Sequence, residues 1–478
     1  MSSDPTKPAA PEHQDRHGTD LTTGSVMRRL IGFAVPMLMG SALQTAYSIV
    51  NALWVGRGLG SNAMAALAVS FPIFFLLMAV AGGLTLASNV LVSQAYGARN
   101  IARVKQVIQN SMVLTFAVGL ACPIVGHFAA DTIVRAMQTP PEVLTMAESY
   151  LRVYLWSTPF MFGVYFLASV MRGVGDSKTP LRFQAISLAL TAILDPILMF
   201  GWLGLPRLGL NGTAVATICA QAFSLAAIAA YIHRHDHVAS PDWRRLKVDL
   251  PTTWLTLKIG APSMLQQALV SLGMLFIVGF VNRFGAHSAA AFGIAMRIDQ
   301  LAFMPAMTIG MAVSTLSGQN IGAGRYDRVA QVFLRGAALS CSMTAVASIL
   351  AAGMPHTLIQ MFTGDPDVIA IGVQYLRIIS VGYLLFAVLF TSNGVINGSG
   401  HTLATTAITL IAFWIVRVPL AAYLSAHLGR VEGVWYAILV SIATGTTISL
   451  IYFLSGRWKI PVARNRPAPP MDPTTEVE

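Results

Sequence analysis

Long apolar runs separated by short polar or Gly/Pro breaks dominate the chain from about residue 28 to residue 455. A helix needs ~20 apolar residues to cross the hydrocarbon core of a bilayer, so each run predicts a transmembrane helix. The runs are continuous rather than alternating, which argues against membrane strands. Twelve runs meet this test: 28–52, 62–92, 103–126, 148–171, 181–203, 211–232, 254–280, 288–316, 328–352, 371–395, 402–425 and 433–455.

The first six runs and the last six resemble each other in sequence. The segment 94–98, QAYGA, returns as QNIGA at 319–323, and each copy follows an even-numbered run. Six runs per half place both halves in the same orientation, so the repeat is parallel, about an axis along the membrane normal. Transporters are often built in this way, with the substrate path between the halves. Other matched landmarks are 34–36 with 260–262, 172–176 with 397–401, Pro196 with Pro419, and 211–212 with 432–433.

The composition supports an integral membrane protein. Hydrophobic residues make up 55% of the chain and charged residues only 11%, whereas soluble proteins carry roughly 25% charged residues. Soluble enzymes, disordered scaffolds and fibrous proteins are therefore excluded. We predict an all-α polytopic membrane protein with twelve transmembrane helices in two pseudo-symmetric six-helix lobes. The predicted division is a disordered cytoplasmic tail (1–26), an N-terminal lobe (27–232), a cytoplasmic linker (233–253), a C-terminal lobe (254–456) and a second cytoplasmic tail (457–478).

The basic residues predict the orientation. The net charge is +11, with 31 Lys and Arg against 20 Asp and Glu. With the N-terminus inside, 22 of these 31 basic residues lie on the inner side, and cytoplasmic loops of membrane proteins are enriched in Lys and Arg. Both termini are therefore predicted to be cytoplasmic, in the plasma membrane (the inner membrane of a bacterium). The excess of positive charge is thus explained by the orientation in the membrane, and we expect no nucleic-acid partner.

The landmarks resemble those of the multidrug and toxic compound extrusion (MATE) family over about residues 27–456. The resemblance is carried by the two Gln-x-x-Gly-Ala motifs, the turn at 55–60, and Leu194-Asp195-Pro196 in the fifth run. It implies the MATE fold and the export of organic cations and other amphipathic toxic compounds. The driving force would be inward H⁺ or Na⁺, by alternating access. A non-enzymatic monomer without a cofactor is expected, whose partners are small amphipathic or cationic substrates and the bilayer.

Two alternatives remain open. A lipid-linked oligosaccharide flippase of the same superfamily usually has extra spans and several cavity arginines. A membrane enzyme needs catalytic or metal-binding groups at the membrane edge. Only His233, His235 and His237 in the linker offer such groups, and we interpret them as a solvated loop, with no metal site predicted.

Ionisable side chains at membrane depth are costly and are candidates for function by default. Two acids lie there, Asp195 and Asp299. Thr191 precedes Asp195 by one helical turn, on the same face, and Pro196 removes a backbone donor and kinks the helix. By the resemblance, Asp195 corresponds to the buried aspartate of the N-terminal lobe. Thr191 and Thr213 then fall at positions that are often asparagine and threonine, and together with Asp195 they could couple ions.

Asn51 departs from the family pattern, in which many members carry an aspartate at this position. An asparagine cannot titrate, so a mechanism that protonates the first span is in doubt. Asn51 shares a helical stripe with Gln44 and Tyr47. It could donate a hydrogen bond to Asp195, supply a neutral oxygen to Na⁺, or simply pack between helices.

The remaining polar groups at depth complete the predicted site. Asp299 could bind a cationic drug, carry a second proton or pair with Arg417, and Arg297 points away from it on the same helix. Arg297 and Arg417 are predicted to modulate the site, Arg417 chiefly as a structural or charge-balancing group. The predicted substrate-binding residues are Asp299, Gln44, Tyr47, Gln267, Gln300 and Met296, and the predicted hinges are Pro36, Pro196, Pro262 and Pro419.

Overall fold

The structure, a computed structural model, describes residues 18–137, 139–241, 248–460 and 462. Its regular elements are helical, and no β-strand occurs in these ranges. The helices of the first half are α1 (Val26–Leu59), α2 (Ser61–Gly97), α3 (Ile101–Ala136), α4 (Pro141–Leu155), α5 (Thr158–Gly173), α6 (Lys178–Phe200) and α7 (Leu210–Arg234). Those of the second half are α8 (Leu250–Asn282), α9 (Ala286–Gly322), α10 (Tyr326–Gly353), α11 (Pro355–Gln360), α12 (Pro366–Gly398), α13 (Thr402–Thr409), α14 (Val418–Leu428) and α15 (Glu432–Leu454), with a π-helical segment, Leu410–Arg417, between α13 and α14.

The twelve predicted spans are confirmed, with one change in the fourth. Eleven of the twelve spans are single stretches long and apolar enough to cross a bilayer. One of them, Thr402–Leu428, combines α13, the π-helical segment and α14. The remaining span, fourth along the chain, is a pair of helices, α4 and α5, bent by 46°. Pro159 lies at the start of α5, where its missing N–H costs no helical hydrogen bond. The matching helix of the second half, α12, runs unbroken for 33 residues.

We call "base" the end of the molecule at which α1, α3, α6, α8 and α10 begin, and at which α2, α5, α9 and α12 end. At the base, the first turns of the first helix of each half pack in a core of the other half. Leu30 and Phe33 of α1 pack in a core with Val313 and Val332 of the second half. Conversely, Ile259 of α8 packs in the main core of the first half. The first helices, α1 and α8, therefore cross between the halves.

The hydrogen bonds between the halves all lie in the part of the molecule near the base, as far as the described residues show. They include Gln94 to Gly398, Gln319 to Gly173 and Thr315 to Asn89. The bond farthest from the base joins the Ser41 and Thr308 hydroxyls (3.4 Å), near mid-height of α1 and α9. Farther from the base each half has a separate core, one built from residues of the first half alone and the other from residues of the second half alone. The contacts that join the two halves are thus concentrated toward the base.

The tails are more ordered than predicted where the structure describes them. Leu21 is 2% exposed, and its N–H donates to Gln319 Oε1 (3.0 Å). Arg325 donates to the Thr22 carbonyl (2.8 Å). The prediction of a disordered tail is therefore wrong for residues 18–25, while residues 1–17 lie outside the described part. The same correction applies to the start of the second tail, because Trp458 is buried and donates to the Phe453 carbonyl (2.8 Å).

The linker between α7 and α8 packs onto the base. His237 is buried, with its Nε2 3.7 Å from Asp176 Oδ2, so the solvated-loop interpretation is wrong for this residue, although His233 and His235 are exposed. Burial raises the pKa of Asp176, but the nearby His237 ring and hydrogen bonds from Thr179 outweigh it and hold that pKa below the usual value. The one group of potential metal ligands in the described ranges lies elsewhere, at His287, Asp365 and Asp367.

Two glycines allow α2 and α9 to cross closely at the base. A Cβ on Gly97 would lie 1.9 Å from the Gln319 carbonyl oxygen, and a Cβ on Gly322 would lie 2.0 Å from that of Gln94. Both are backbone atoms in helices, so neither can move aside alone. Any side chain at either position must push the two halves apart.

We therefore predict that Gly97→Ala and Gly322→Ala open the base. The distance between spin labels at Lys105 (α3) and Asp327 (α10) should become longer and broader than in the parent, as measured by double electron–electron resonance. Gly293→Ala is the matched control, because a Cβ there meets nothing within 4 Å. An unchanged distance in both Gly97→Ala and Gly322→Ala would contradict the proposed crossing.

Candidate functional site

A buried carboxylate joins α1 to α6. Asp195 lies on α6, five residues before the helix end that is remote from the base, and is 0% exposed. Its Oδ2 accepts hydrogen bonds from Tyr47 Oη (3.1 Å) and Asn51 Nδ2 (2.9 Å). Tyr47 and Asn51 are four residues apart on α1, so they present one face of that helix to the same oxygen.

The other carboxylate oxygen, Oδ1, is buried and accepts no hydrogen bond from the described residues. A buried acceptor left without a donor costs about 1–3 kcal/mol, and the penalty is larger in a hydrocarbon surrounding. Protonation of Oδ1, or a cation bound to it, would remove this cost. The geometry therefore gives Asp195 one oxygen held by α1 and one oxygen open to a proton or cation.

The two predicted threonines lie in the same half but do not bond to Asp195. Thr191 Oγ1 donates to the Ser187 carbonyl (2.8 Å), and Thr213 Oγ1 donates to the Leu210 carbonyl (2.9 Å). Both side chains are buried. The structure thus brings together Asp195 and Asn51 of the predicted ion-coupling set, and adds Tyr47, which we predicted to bind substrate.

Asp299 lies inside the second half rather than in an open substrate site. Its Oδ1 accepts from Tyr383 Oη (2.7 Å) and its Oδ2 from Tyr375 Oη, both on α12. Both carboxylate oxygens are engaged, so Asp299 links α9 to α12. Sequence reasoning missed the two tyrosines, because nothing in an apolar run shows which side chains on another helix it will meet.

Arg417 is also engaged within the second half. Its Nε donates to Ser441 Oγ (2.6 Å), and its guanidinium lies over the Phe413 ring, 3.7 Å from the centroid. No ion pair within 4.0 Å joins it to Asp299 in the described part of the chain, so the structure does not show the alternative in which these two residues pair. The geometry is that of a structural group. Arg297, on α9, is exposed and takes no part in this cluster.

The other predicted substrate residues are spread over three helices. Gln44 on α1, Gln267 on α8 and Gln300 on α9 are exposed, and Met296 is partly buried. None of these four side chains bonds to Asp299 among the described residues, since its two carboxylate oxygens accept from Tyr383 and Tyr375. The predicted hinges lie within α1, α6, α8 and the start of α14, where Pro419 follows the π-helical segment directly.

The repeated Gln-x-x-Gly-Ala motifs close the base in a reciprocal way. Gln94 Nε2 donates to the Gly398 carbonyl (2.7 Å), and Gln319 Nε2 donates to the Gly173 carbonyl (2.9 Å). Gln94 and Gln319 occupy matched positions of the repeat, as do Gly173 and Gly398. All four are buried. One glutamine of each half therefore donates a hydrogen bond to the other half, and we call Gln94 and Gln319 the glutamine latch.

Two matched six-helix halves in a membrane, joined at one end and with separate cores at the other, define a secondary-transporter architecture. The chain belongs to the MATE family. The MatE family model matches it twice, at residues 36–197 and 262–423. The two matches are offset by 226 residues and begin at Pro36 and Pro262, which confirms the internal repeat as well as the family.

Relatives along nearly the whole chain support this assignment. The "Probable multidrug resistance protein YpnP" of Bacillus subtilis is 33% identical over 445 residues, which cover 92% of this chain and 97% of the relative. YoeA from the same organism, described in the same words, is 34% identical over 433 residues, covering 90% and 93%. The "Probable multidrug resistance protein NorM" of Thermotoga maritima is 27% identical over 440 residues, covering 91% and 93%.

Solved structures of MATE transporters share the fold. A MATE structure in the straight conformation has a TM-score of 0.84 at 22% identity and covers 94% of this chain and 98% of the other. An "Outward-facing conformation of a multidrug resistance MATE family transporter of the MOP superfamily" has a TM-score of 0.84 at 23% identity, with 93% and 98% covered.

The Asp299 cluster yields a stability prediction. Asp299→Ala leaves two buried tyrosine hydroxyls without an acceptor, at about 1–3 kcal/mol each, whereas Asp299→Asn keeps one carbonyl oxygen. We expect a clearly lower thermal unfolding temperature in detergent for Asp299→Ala, and a smaller decrease for Asp299→Asn. Asp131→Ala, which removes an exposed ion pair with Arg135, is the control and should change little. Equal stability of Asp299→Ala and the parent would show that the tyrosines do not depend on this carboxylate.

Proposed function

We propose that this protein exports amphipathic toxic compounds, organic cations among them, in exchange for H⁺ moving inward. It would act as a monomer, without a cofactor, in the inner membrane of a bacterium. The names of the relatives support multidrug export. The excess of Lys and Arg near the base supports a cytoplasmic base with both termini inside.

The observation that carries the proposal is the position of Asp195. Its Oδ2 holds Tyr47 and Asn51 of α1, and α1 is the helix whose first turns pack in the other half. An ionised carboxylate accepts stronger hydrogen bonds than a neutral carboxyl group. A proton on Oδ1 would therefore weaken the attachment of α1 to α6. A change of charge inside one half is thus linked to the helix that connects both.

The arrangement favours H⁺ over Na⁺ as the coupling ion. Two donors, the Tyr47 hydroxyl and the Asn51 amide, face the carboxylate, whereas Na⁺ needs several oxygens turned toward it. The Thr191 and Thr213 hydroxyls are not bonded to the carboxylate. Many members of the family carry a titratable aspartate at the position where this chain has Asn51. A single carboxylate, that of Asp195, would therefore carry the proton in this half.

The conformation agrees with alternating access. The glutamine latch and the crossing of α2 and α9 close the base, and the two halves have separate cores at the other end. With the base in the cytoplasm, this would be a state closed toward the cytoplasm. The flippase alternative calls for several arginines in the cavity. The two arginines predicted at membrane depth do not support it, because Arg417 is bonded to Ser441 and only Arg297 is exposed.

We predict that Asp195→Asn abolishes driven transport while leaving the protein folded. Asparagine is nearly isosteric with aspartate but cannot carry a proton. Inverted vesicles with a fluorescent organic cation would be energised with either a pH gradient or a Na⁺ gradient. The parent should accumulate the cation with the pH gradient, and Asp195→Asn should not exceed the level seen without any gradient.

The matched control is Asp131→Asn, which changes an exposed carboxylate near the end of α3 remote from the base and should transport normally. Dependence on the Na⁺ gradient alone would replace H⁺ by Na⁺ in the proposal. Full pH-driven transport by Asp195→Asn would remove Asp195 from the coupling mechanism.

A further inference from the structure

A cavity distinct from the Asp195 site lies between the halves, closer to the base. It has a volume of about 300 Å³ and is bounded by α1, α2, α5, α6, α7 and α9. Gln184 of α6 lines it eleven residues before Asp195, which corresponds to about 16 Å along the helix. We call it the base cavity, and the lining residues that matter here are Met37, Ser41, Tyr165, Arg172, Gln184 and Thr308.

Among the residues that the structure describes, Arg172 is the only charged one that lines the base cavity. It lies in the last turn of α5 and is half-buried. Within the described ranges its guanidinium makes no hydrogen bond and no ion pair within 4.0 Å. The nearby acid in sequence, Asp176, is engaged by the backbone N–H groups of Lys178 and Thr179 and lies beside His237.

The chemistry of the lining suits an anionic amphiphile. A cation among mostly apolar walls lacks compensation unless an anion or water reaches it. The planar guanidinium fork matches the paired oxygens of carboxylate, sulfonate and phosphate groups. Met37, Met78, Leu181 and Met311 line the same space, and flexible, polarizable Met side chains adapt to varied hydrocarbon shapes. The volume lies at the lower end of the range for small-molecule pockets.

The base cavity also lies beside the contacts that join the two halves. Ser41 and Thr308 line it from opposite halves, and their hydroxyls are 3.4 Å apart, the farthest hydrogen bond from the base between the halves. Gly173, next to Arg172, offers its carbonyl to Gln319 of the glutamine latch. A ligand on Arg172 would therefore contact both halves beside the latch.

We propose that the base cavity binds the anionic headgroup of an amphiphile on Arg172, with its hydrocarbon part against the Met and Leu side chains. The inference rests on the proposed export function and deepens it, because it adds anionic and zwitterionic amphiphiles to the substrates. The opposing explanation is that Arg172 extends its charge to water at the base and has no ligand, as long basic side chains do near membrane interfaces.

Binding to purified protein in phosphatidylcholine nanodiscs tests the proposal without any gradient. The probes are a dansyl-labelled undecanoic acid, its neutral methyl ester and the corresponding undecylamine, each corrected for partition into empty nanodiscs. The parent should bind the carboxylate more tightly than the ester or the amine. Arg172→Gln should weaken carboxylate binding by about tenfold or more and leave ester binding unchanged. Arg172→Lys should weaken carboxylate binding less than Arg172→Gln does.

Arg182→Gln is the matched control, because it removes an exposed arginine of α6 close to the same end of the molecule. It should bind all three probes like the parent. A second arm replaces part of the phosphatidylcholine with phosphatidylglycerol. Competition by this lipid would assign the anionic group to a resident membrane lipid, and its absence would assign the group to a compound that enters from solution.

Three results would overturn the proposal: equal affinity of the parent for the three probes, equal loss of all three in Arg172→Gln, or equal loss of the carboxylate in Arg182→Gln. Asp195→Asn should keep carboxylate binding even though it loses driven transport. A failure of the base-cavity proposal therefore appears in binding alone, and a failure of the coupling proposal appears in transport alone.

Discussion

The close crossing of α2 and α9 at the base is the constraint on which the rest of the structure depends. Two glycines, Gly97 and Gly322, bring the helix backbones into contact, and Gln94 and Gln319 then reach across to carbonyl oxygens of the opposite half. Because the repeat is parallel, each contact occurs twice, once from each half. Donors buried in this way need acceptors, so the crossing stabilises one arrangement of the halves at the base.

In the proposed mechanism, α1 is the helix through which a change of charge at Asp195 would reach both halves. Its beginning packs against α9 and α10 of the second half, and its later turns are held by Asp195 of α6. The matching helix α8 is held in its own half by neutral groups, Gln266 to Thr409 and Trp414 to the Leu269 carbonyl. The two halves share a fold but differ in chemistry: a carboxylate holds the first helix in one and amide, hydroxyl and indole groups hold it in the other.

Much of the fold could be predicted from the sequence, because the bilayer imposes a length and an apolar composition on every span. The repeat and the Asp195–Pro196 site follow from patterns along the chain, whereas the hydrogen bond from Asn51 to Asp195 was one of three alternatives that these patterns left open. Contacts between helices could not be predicted in this way. Tyr375 and Tyr383 around Asp299, the absence of an Arg417–Asp299 pair and the cavity position of Arg172 depend on how helices rotate and tilt against each other. The packed segment 18–25 was missed because its polar sequence looks like a tail until Gln319, Arg325 and Arg328 are seen to bind it.

The central claim is that the charge on Asp195 sets the attachment of α1 to α6. Spin labels at Leu53 of α1 and Ile193 of α6, both exposed, measure this attachment in a background without Cys122, Cys219 and Cys341. In the parent, acidification should lengthen or broaden the distance between the labels, and Asp195→Asn should show the acidic distribution at every pH. A distribution that does not change with pH in the parent, or that changes equally in Asp195→Asn, would contradict the account.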